Sequence, residues 1–333
     1  MTLEPSIRIL CWLLKLRSPV YELSLSEIKR RNAAQMEGAL AWLFLGAKLP
    51  LPKVLDQTLT GRHGDIPIRL YYPPLKPNSE PGIPLIVFFH GGGWVTGSLE
   101  THDRLCRQIA KSSGALIMAV DYRLAPWHKY PVPLEDCYDA LLWASSQAES
   151  LGAAPDKLMV MGDSAGGTMA AAVCLMARDQ ARDQARAQVD NQANNQAAPQ
   201  ILRQILLYPA VDGTLSYPSH QRYADAPVLS QAAVHFYRAQ YMNTPADLKL
   251  AYFSPLFAEN LEQLPPAFIL TAEYDPLHDE AKAFAEKLTA AGGTVVYRDF
   301  PGMIHAFLMF PRFCSGVAPA VAAIAEDIKA ALE

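Results

Sequence analysis

Three side chains in this sequence could together break an acyl bond, and each follows an apolar run that reads as a strand. Gly162-Asp163-Ser164-Ala165-Gly166 lies between the apolar residues 158–161 and Ala-rich helical sequence beginning at Thr168. A strand that must become a helix within a few residues forces the central residue into a strained conformation, and the flanking glycines remove the Cβ atoms that would clash. The hydroxyl of Ser164 is thereby pushed out of the turn. The following helix aims unpaired N–H groups and a partial positive charge at the same spot, where an oxyanion would form. A nucleophilic serine needs this strand–turn–helix context, together with a base, an orienting acid and oxyanion donors.

His90-Gly91-Gly92-Gly93-Trp94 follows the apolar run 85–89. The consecutive glycines Gly91, Gly92 and Gly93 let backbone N–H groups approach a ligand with no side chain in the way, so they are candidate oxyanion donors. A phosphate loop is the competing reading, but no helix-opening G-x-G-x-x-G and no Walker lysine follows. For the base, His305 stands in a late loop that opens with Pro301-Gly302, after the run 294–297. His63 falls in a hairpin turn, His102 and His128 near helix starts, and His220 and His235 in a separate aromatic-rich segment. His90 belongs to the glycine loop, where its ring N–H is suited to holding backbone geometry. His278 is the rival, inside the turn that carries the acids. That turn, residues 272–280, offers Glu273, Asp275, Asp279 and Glu280. Pro276 keeps Asp275 extended at a strand exit, whereas Asp279 and Glu280 fall where a helix starts. Asp275 is the better orienting acid, with Asp279 in reserve.

These positions need a scaffold. The apolar runs 85–89, 115–120, 158–161, 205–208, 267–271 and 294–297 are continuous rather than alternating, so both faces of each strand are covered. Helical stretches separate them. That pattern predicts a mostly parallel α/β sheet with helices on both faces, and functional residues at the carboxyl ends of its strands. Residues 54–60 and 66–72 alternate around a Gly-rich turn and predict an antiparallel hairpin ahead of the sheet.

With 333 residues, half of them apolar, the chain can bury one large domain plus a smaller appendage. A net charge of −4 gives no reason to expect nucleic acid as a partner, and points to a neutral or apolar ligand. Five dispersed cysteines show no metal spacing and no disulfide framework, and read as small core residues in a reducing compartment. Residues 7–17 are apolar but short and interrupted by Arg8, Lys15 and Arg17, with no cleavage site, which predicts a cytoplasmic chain with neither signal peptide nor membrane span. Trp12 beside leucines and cations would also suit a weak contact of the N-terminal helices with lipid, although packing on the catalytic domain is the commoner fate of such a stretch.

Residues 1–50 read as helices, broken at Ser18-Pro19 and resuming from about 26 to 45, with Ser26 as a weak cap. Residues 212–254 contain a helix candidate at 231–242. An insertion at that point of the sheet would lie above Ser164 and, with the N-terminal helices, form a cap. The resulting domain plan is cap helices in 1–50, a catalytic domain in 51–211 and 255–333, and a cap insertion in 212–254. Tyr223, Phe236, Tyr237, Tyr241 and Phe253 are aromatic candidates for an acyl pocket. Tyr223 and Phe236 are taken forward with Trp94 and Trp127. The low-complexity stretch 177–198 predicts a helical extension with Asp179–Arg182 and Asp183–Arg186 pairs, then a surface loop.

Taken together, His90-Gly-Gly-Gly-Trp94, Asp121-Tyr-Arg-Leu-Ala-Pro126, Gly162-Asp-Ser-Ala-Gly-Gly167, Asp275-Pro-Leu-His-Asp-Glu280 and Gly302-Met-Ile-His305 resemble the hormone-sensitive-lipase-like carboxylesterases, the bacterial family IV esterases. The resemblance implies an α/β-hydrolase fold with a helical cap, Ser164 as nucleophile, His305 as base and Asp275 as its partner. It also implies an oxyanion hole from Gly92, Gly93 and Ala165, no metal or organic cofactor, and hydrolysis of small acyl esters of short to medium chain. A deacetylase or amidase on the same triad, or a non-catalytic small-molecule receptor of the same fold, are the alternatives, and oligomeric state is not implied. Two departures stand out. Trp127 replaces the Glu usual after Leu-Ala-Pro, and Thr168 replaces the Asn usual after Gly-Asp-Ser-Ala-Gly-Gly.

Overall fold

The computed structural model describes residues 3–33, 44, 46, 48–74, 82–189 and 197–333. Strands β1 (Lys53–Gly61) and β2 (Gly64–Tyr72) form the expected antiparallel hairpin, in register from Lys53↔Tyr72 to Gly61↔Gly64. Six further strands follow: β3 (Ile83–Phe89), β4 (Leu116–Val120), β5 (Ala153–Asp163), β6 (Arg203–Leu207), β7 (Ala267–Tyr274) and β8 (Val295–Ile304). They join the hairpin in one eight-stranded sheet, ordered β1-β2-β4-β3-β5-β6-β7-β8. Every pairing from β4 onward is parallel, while β2 runs antiparallel to both β1 and β4.

Both faces of this sheet are covered, as the unbroken apolar runs require. Along β3, Leu85, Val87 and Phe89 point into one core and Ile86 and Phe88 into the other, with all five inaccessible to solvent. The first core is closed by α4 (Val132–Gln147), α5 (Ala165–Val189) and α8 (His278–Ala290), through residues such as Leu141, Met169 and Phe284. The second is closed by α3 (Leu99–Ser113) and α9 (Val317–Ala330), through Leu105, Ile109, Ile324 and Ile328. All five cysteines are free thiols; four are buried and Cys11 is partly so. Among the described residues no helix is long and apolar enough to cross a membrane.

The N-terminal residues divide between two places. Helix α1 (Pro5–Leu14) buries Ile7 and Leu10 in the second core, and Ser6 Oγ donates to the Phe313 carbonyl at 2.7 Å. Residues 20–32, including α2 (Leu25–Ala33), instead contribute to the cavity described below, and Ile28 joins the first core. The cap of α2 is Ser24 rather than Ser26. Glu27 N donates to Ser24 Oγ at 3.3 Å while Glu27 Oε2 accepts from Ser24 N at 2.9 Å, a reciprocal pair that an Ser-x-x-Glu spacing announces. The remainder of the helical run expected to residue 45 falls, apart from Phe44, outside the described residues.

After β6 come α6 (Ser219–Arg222) and α7 (Gln231–Tyr241), the latter capped by Ser230, whose side chain accepts from Ala233 N. Helix α5 runs on to Val189, so the low-complexity stretch does extend it. Asp183 and Arg186 approach to 3.8 Å, but Asp179 pairs with Arg178 and accepts from the Tyr252 hydroxyl, and Arg182 turns to Gln263. Tertiary partners on the neighbouring loop thus displace the expected Asp179–Arg182 pair. Most of the surface loop expected after the helix, 190–196, falls outside the described residues.

Candidate active site

The parallel pairing of β3, β5, β6 and β7 brings their carboxyl ends to one edge of the sheet, and Ser164 stands there. β5 ends at Asp163 and α5 begins at Ala165, so a single residue makes the turn, tighter than the helix start at Thr168 that the sequence suggested. Ser164 pays for this with φ +54°, a left-handed conformation unusual for a side chain with a Cβ. The strain is held by three backbone bonds: Ser164 N donates to Leu207 O at 2.8 Å, and its carbonyl accepts from Thr168 N and Ala210 N at 3.2 and 3.3 Å. A Cβ on Gly166 would collide with the Phe89 carbonyl, so only glycine lets α5 close against β3.

His305 leaves the end of β8 and places Nε2 at 2.9 Å from Ser164 Oγ. Its other nitrogen, Nδ1, lies 2.6 Å from Asp275 Oδ2, just beyond β7. Asp275 Oδ1 accepts from Leu277 N at 2.8 Å, which fixes the carboxylate plane. A carboxylate can only accept, so Nδ1 carries the proton and donates to Asp275. That leaves Nε2 as a lone pair facing the serine hydroxyl. All three side chains are buried, Asp275 completely. The rivals are occupied elsewhere. His278 lies between Asp279 at 2.9 Å and Asp299 at 3.3 Å, which together raise its pKa against the opposing effect of burial. Asp279 accepts from Ser219 N, and Glu273 from Gly302 N.

The glycine loop is divided in its duties. Gly92 and Gly93, at φ +117° and +61°, turn so that their N–H groups meet no acceptor among the described residues, and the same is true of Ala165 at the start of α5. All three border one cavity together with Ser164 and His305. Gly91, also expected as an oxyanion donor, is corrected: its N–H donates to Asp163 Oδ1 at 2.8 Å and is spent. His90 Nδ1 donates to the Gly91 carbonyl at 2.8 Å, the backbone-holding role read from its position, and burial lowers its pKa to about 4, helped by nearby His102.

Asp163 and His102 are the functional neighbours that the sequence reading passed over. Asp163 is 2 % exposed and faces His102 Nε2 at 3.2 Å as well as Gly91 N. Burial would raise its pKa, but His102 and the Gly91 N–H outweigh that and hold it below the usual carboxylate range. The one signal in the sequence is that an acidic residue between the glycine and the serine has to be partnered if the strand end is buried.

The cavity measures about 380 Å³. Its walls include Trp94, Tyr237, Leu229, Val234, Leu23 and Ile28. Of the aromatic candidates Trp94 and Tyr237 line it, and of the four taken forward Trp94 alone does so among the described residues. Tyr237 takes the place of Phe236, because adjacent residues of α7 point about 100° apart and it is Tyr237 whose ring covers Gly93. Phe236 packs beside Tyr237 with ring centroids 5.8 Å apart. Tyr223 rests edge-on against Tyr274, and Tyr241 and Phe253 stack beneath Trp94. Trp127 is 41 % exposed and lies outside the cavity lining. Thr168, the other departure, is buried and donates to the Ala210 carbonyl, tying the first turn of α5 to the loop after β6.

Residues 86–309 match a family defined by the α/β-hydrolase fold. The carboxylic ester hydrolase LipN of Mycobacterium tuberculosis is 38% identical over 260 residues, covering 77% of this chain and 64% of LipN, so the chain spans just under two thirds of that relative. Carboxylesterase NlhH of the same organism is 37% identical over 292 residues, 85% of this chain and 84% of NlhH. Among solved structures, a hyperthermophilic esterase from Pyrobaculum calidifontis superposes with a TM-score of 0.82 at 34% identity, over 99% of both chains.

Proposed function

The chain belongs to the hormone-sensitive-lipase-like carboxylesterases of the α/β-hydrolase fold and is a carboxylic-ester hydrolase, and from that premise we propose that it cleaves small acyl esters through an acyl-enzyme on Ser164. The observation that carries this reading is the single hydrogen-bonded line Asp275–His305–Ser164 beside amides with no other partner among the described residues.

His305 Nε2 takes the hydroxyl proton as Ser164 Oγ attacks the ester carbonyl. The imidazolium so formed is stabilised by Asp275, and the oxyanion by the N–H groups of Gly92, Gly93 and Ala165. His305 then protonates the departing alcohol. Water, deprotonated by the same nitrogen, attacks the acyl-serine and releases the acid. Cap residues from two separate segments, Leu23 and Ile28 before the sheet and Leu229, Val234 and Tyr237 from the 212–254 insertion, line the space for the acyl group. A partly open, mostly apolar space of this size favours short to medium acyl chains over long ones.

Replacing Ser164 by Ala is expected to lower kcat on p-nitrophenyl butyrate by on the order of 10⁶-fold, as loss of a triad nucleophile does elsewhere. A series of p-nitrophenyl esters from acetate to palmitate tests the pocket. Full activity in Ser164→Ala would remove the mechanism, and a maximum at palmitate would remove the chain-length assignment.

A further inference from the structure

Helix α1 is apolar on two opposite sides, and only one of them is used. Ile7 and Leu10 are completely buried, whereas Ile9, Trp12 and Leu16 are 55 %, 62 % and 69 % exposed. At 100° per residue Ile9 and Trp12 share one stripe on the far side from Ile7 and Leu10, and Leu16 follows in the turn just after the helix. Further along the same segment Tyr21 and Leu25 are 40 % and 46 % exposed. Such a stripe normally carries polar residues, so its composition calls for a partner.

Charge identifies the kind of partner. Residues 3–33 hold six cations, Arg8, Lys15, Arg17, Lys29, Arg30 and Arg31, against Glu4, Glu22 and Glu27, in a chain whose net charge is −4. All six cations are exposed, and none forms a salt bridge among the described residues. Two of the three acids are already engaged: Glu4 accepts from Ser315 Oγ and Glu27 from Ser24. A cationic, Trp-bearing apolar patch on an otherwise acidic protein is therefore set apart both in hydropathy and in sign. Trp and Leu embedded at headgroup depth with Lys and Arg beside them is the composition that binds a lipid–water interface.

We propose that this face docks on an anionic lipid surface, with Ile9, Trp12 and Leu16 entering the interface and Arg8, Lys15 and Arg17 meeting its headgroups. The same segment continues into the wall of the cavity through Val20, Leu23 and Ile28. Docking there brings the cavity to the place where sparingly soluble esters collect. Only that last consequence rests on the esterase reading. The docking itself is independent of turnover.

The test is co-sedimentation of the full chain with phosphatidylglycerol-containing vesicles and with pure phosphatidylcholine vesicles, at low and high salt. Binding to the anionic vesicles that weakens with salt is expected, and Trp12→Glu combined with Leu16→Glu should lower it by about tenfold or more. Both positions are exposed, so kcat/KM on a soluble short ester should be unchanged, which also reports that the variant is folded. Lys15→Glu with Arg17→Glu should weaken binding to the anionic vesicles specifically. The proposal fails if the wild type stays in the supernatant with both vesicle types, or if the Trp12/Leu16 variant binds as well as the wild type. It also fails if the wild type is a dimer in analytical ultracentrifugation that Trp12→Glu dissociates, since a second copy would then cover the stripe. Ser164→Ala protein should bind vesicles as the wild type does, so failure of the esterase mechanism and failure of docking are separately visible.

Discussion

Asp163→Asn isolates the part played by the support beneath the glycine loop. The wild-type carboxylate, 2 % exposed, accepts from Gly91 N through Oδ1 at 2.8 Å and from His102 Nε2 through Oδ2 at 3.4 Å. Bonds of this kind to a buried charge are each worth about 1.5–3 kcal/mol. Asparagine keeps one acceptor oxygen but sets an NH₂ group against one of two N–H donors, so at least one of those bonds is lost and the loop must move to relieve a donor–donor contact. A loop displaced in this way carries Gly92 and Gly93 with it. One misplaced oxyanion donor costs about 10²–10³ in kcat, so a fall in kcat of about 10²-fold is expected with KM within about twofold. Steady-state kinetics on p-nitrophenyl butyrate, well below the Tm of the variant, would measure it. A phosphonate that mimics the tetrahedral intermediate should lose affinity in parallel. A folded Asp163→Asn enzyme with wild-type kcat would refute the claim that Asp163 aims the loop. Acid stability offers a second view of the same residue. Its folded pKa is depressed, so its contribution is present above the ordinary aspartate value of about 3.9 and is lost as pH falls through the depressed folded value. The Asn variant should lack that acid-limb dependence.

Two further residues give sharp outcomes. Glu280 is completely buried, accepts from Val211 N at 2.7 Å and Asp212 N at 3.1 Å, and faces His220 Nε2 at 2.7 Å. Glu280→Ala leaves those donors unsatisfied and should destabilise the fold by about 3–5 kcal/mol in denaturant titration, with Glu280→Gln much milder. Burial raises its pKa to about 7, so the folded state holds a proton that the unfolded state has released between about pH 4.5 and 7, and its contribution to stability declines as pH rises through that window. Glu280→Gln should flatten this slope; an unchanged slope would assign it to another group. For His278, the bond to Asp299 raises the pKa, with burial opposing and Asp279 assisting. Its stabilisation is present below about pH 6.5 and is lost as pH rises through the raised folded value. Asp299→Asn should lower the His278 midpoint followed by NMR, and a midpoint that does not move would show that Asp299 is not the cause.

The sequence by itself determined which side chains could form the line and where in the fold they would stand. Ser164, Asp275 and His305 each follow a continuous apolar run, and a parallel sheet places all such strand ends along one edge. Local chemistry was sufficient for that, because strand, turn and helix signals act over a few residues. What only the tertiary structure decided were the partners of atoms that are alike in sequence. Three neighbouring glycines look interchangeable, yet β3 pairs with β5 so that Phe89 lies opposite Gly162, which brings Gly91 N onto Asp163 and leaves Gly92 and Gly93 without acceptors among the described residues. Phe236 and Tyr237 are equally plausible pocket residues until the rotation of α7 turns Tyr237 onto Gly93. His102 reaches Asp163 across 61 residues of chain. Register, helix rotation and long-range pairing are set by the packing of whole elements against one another, and no local run of residues encodes them.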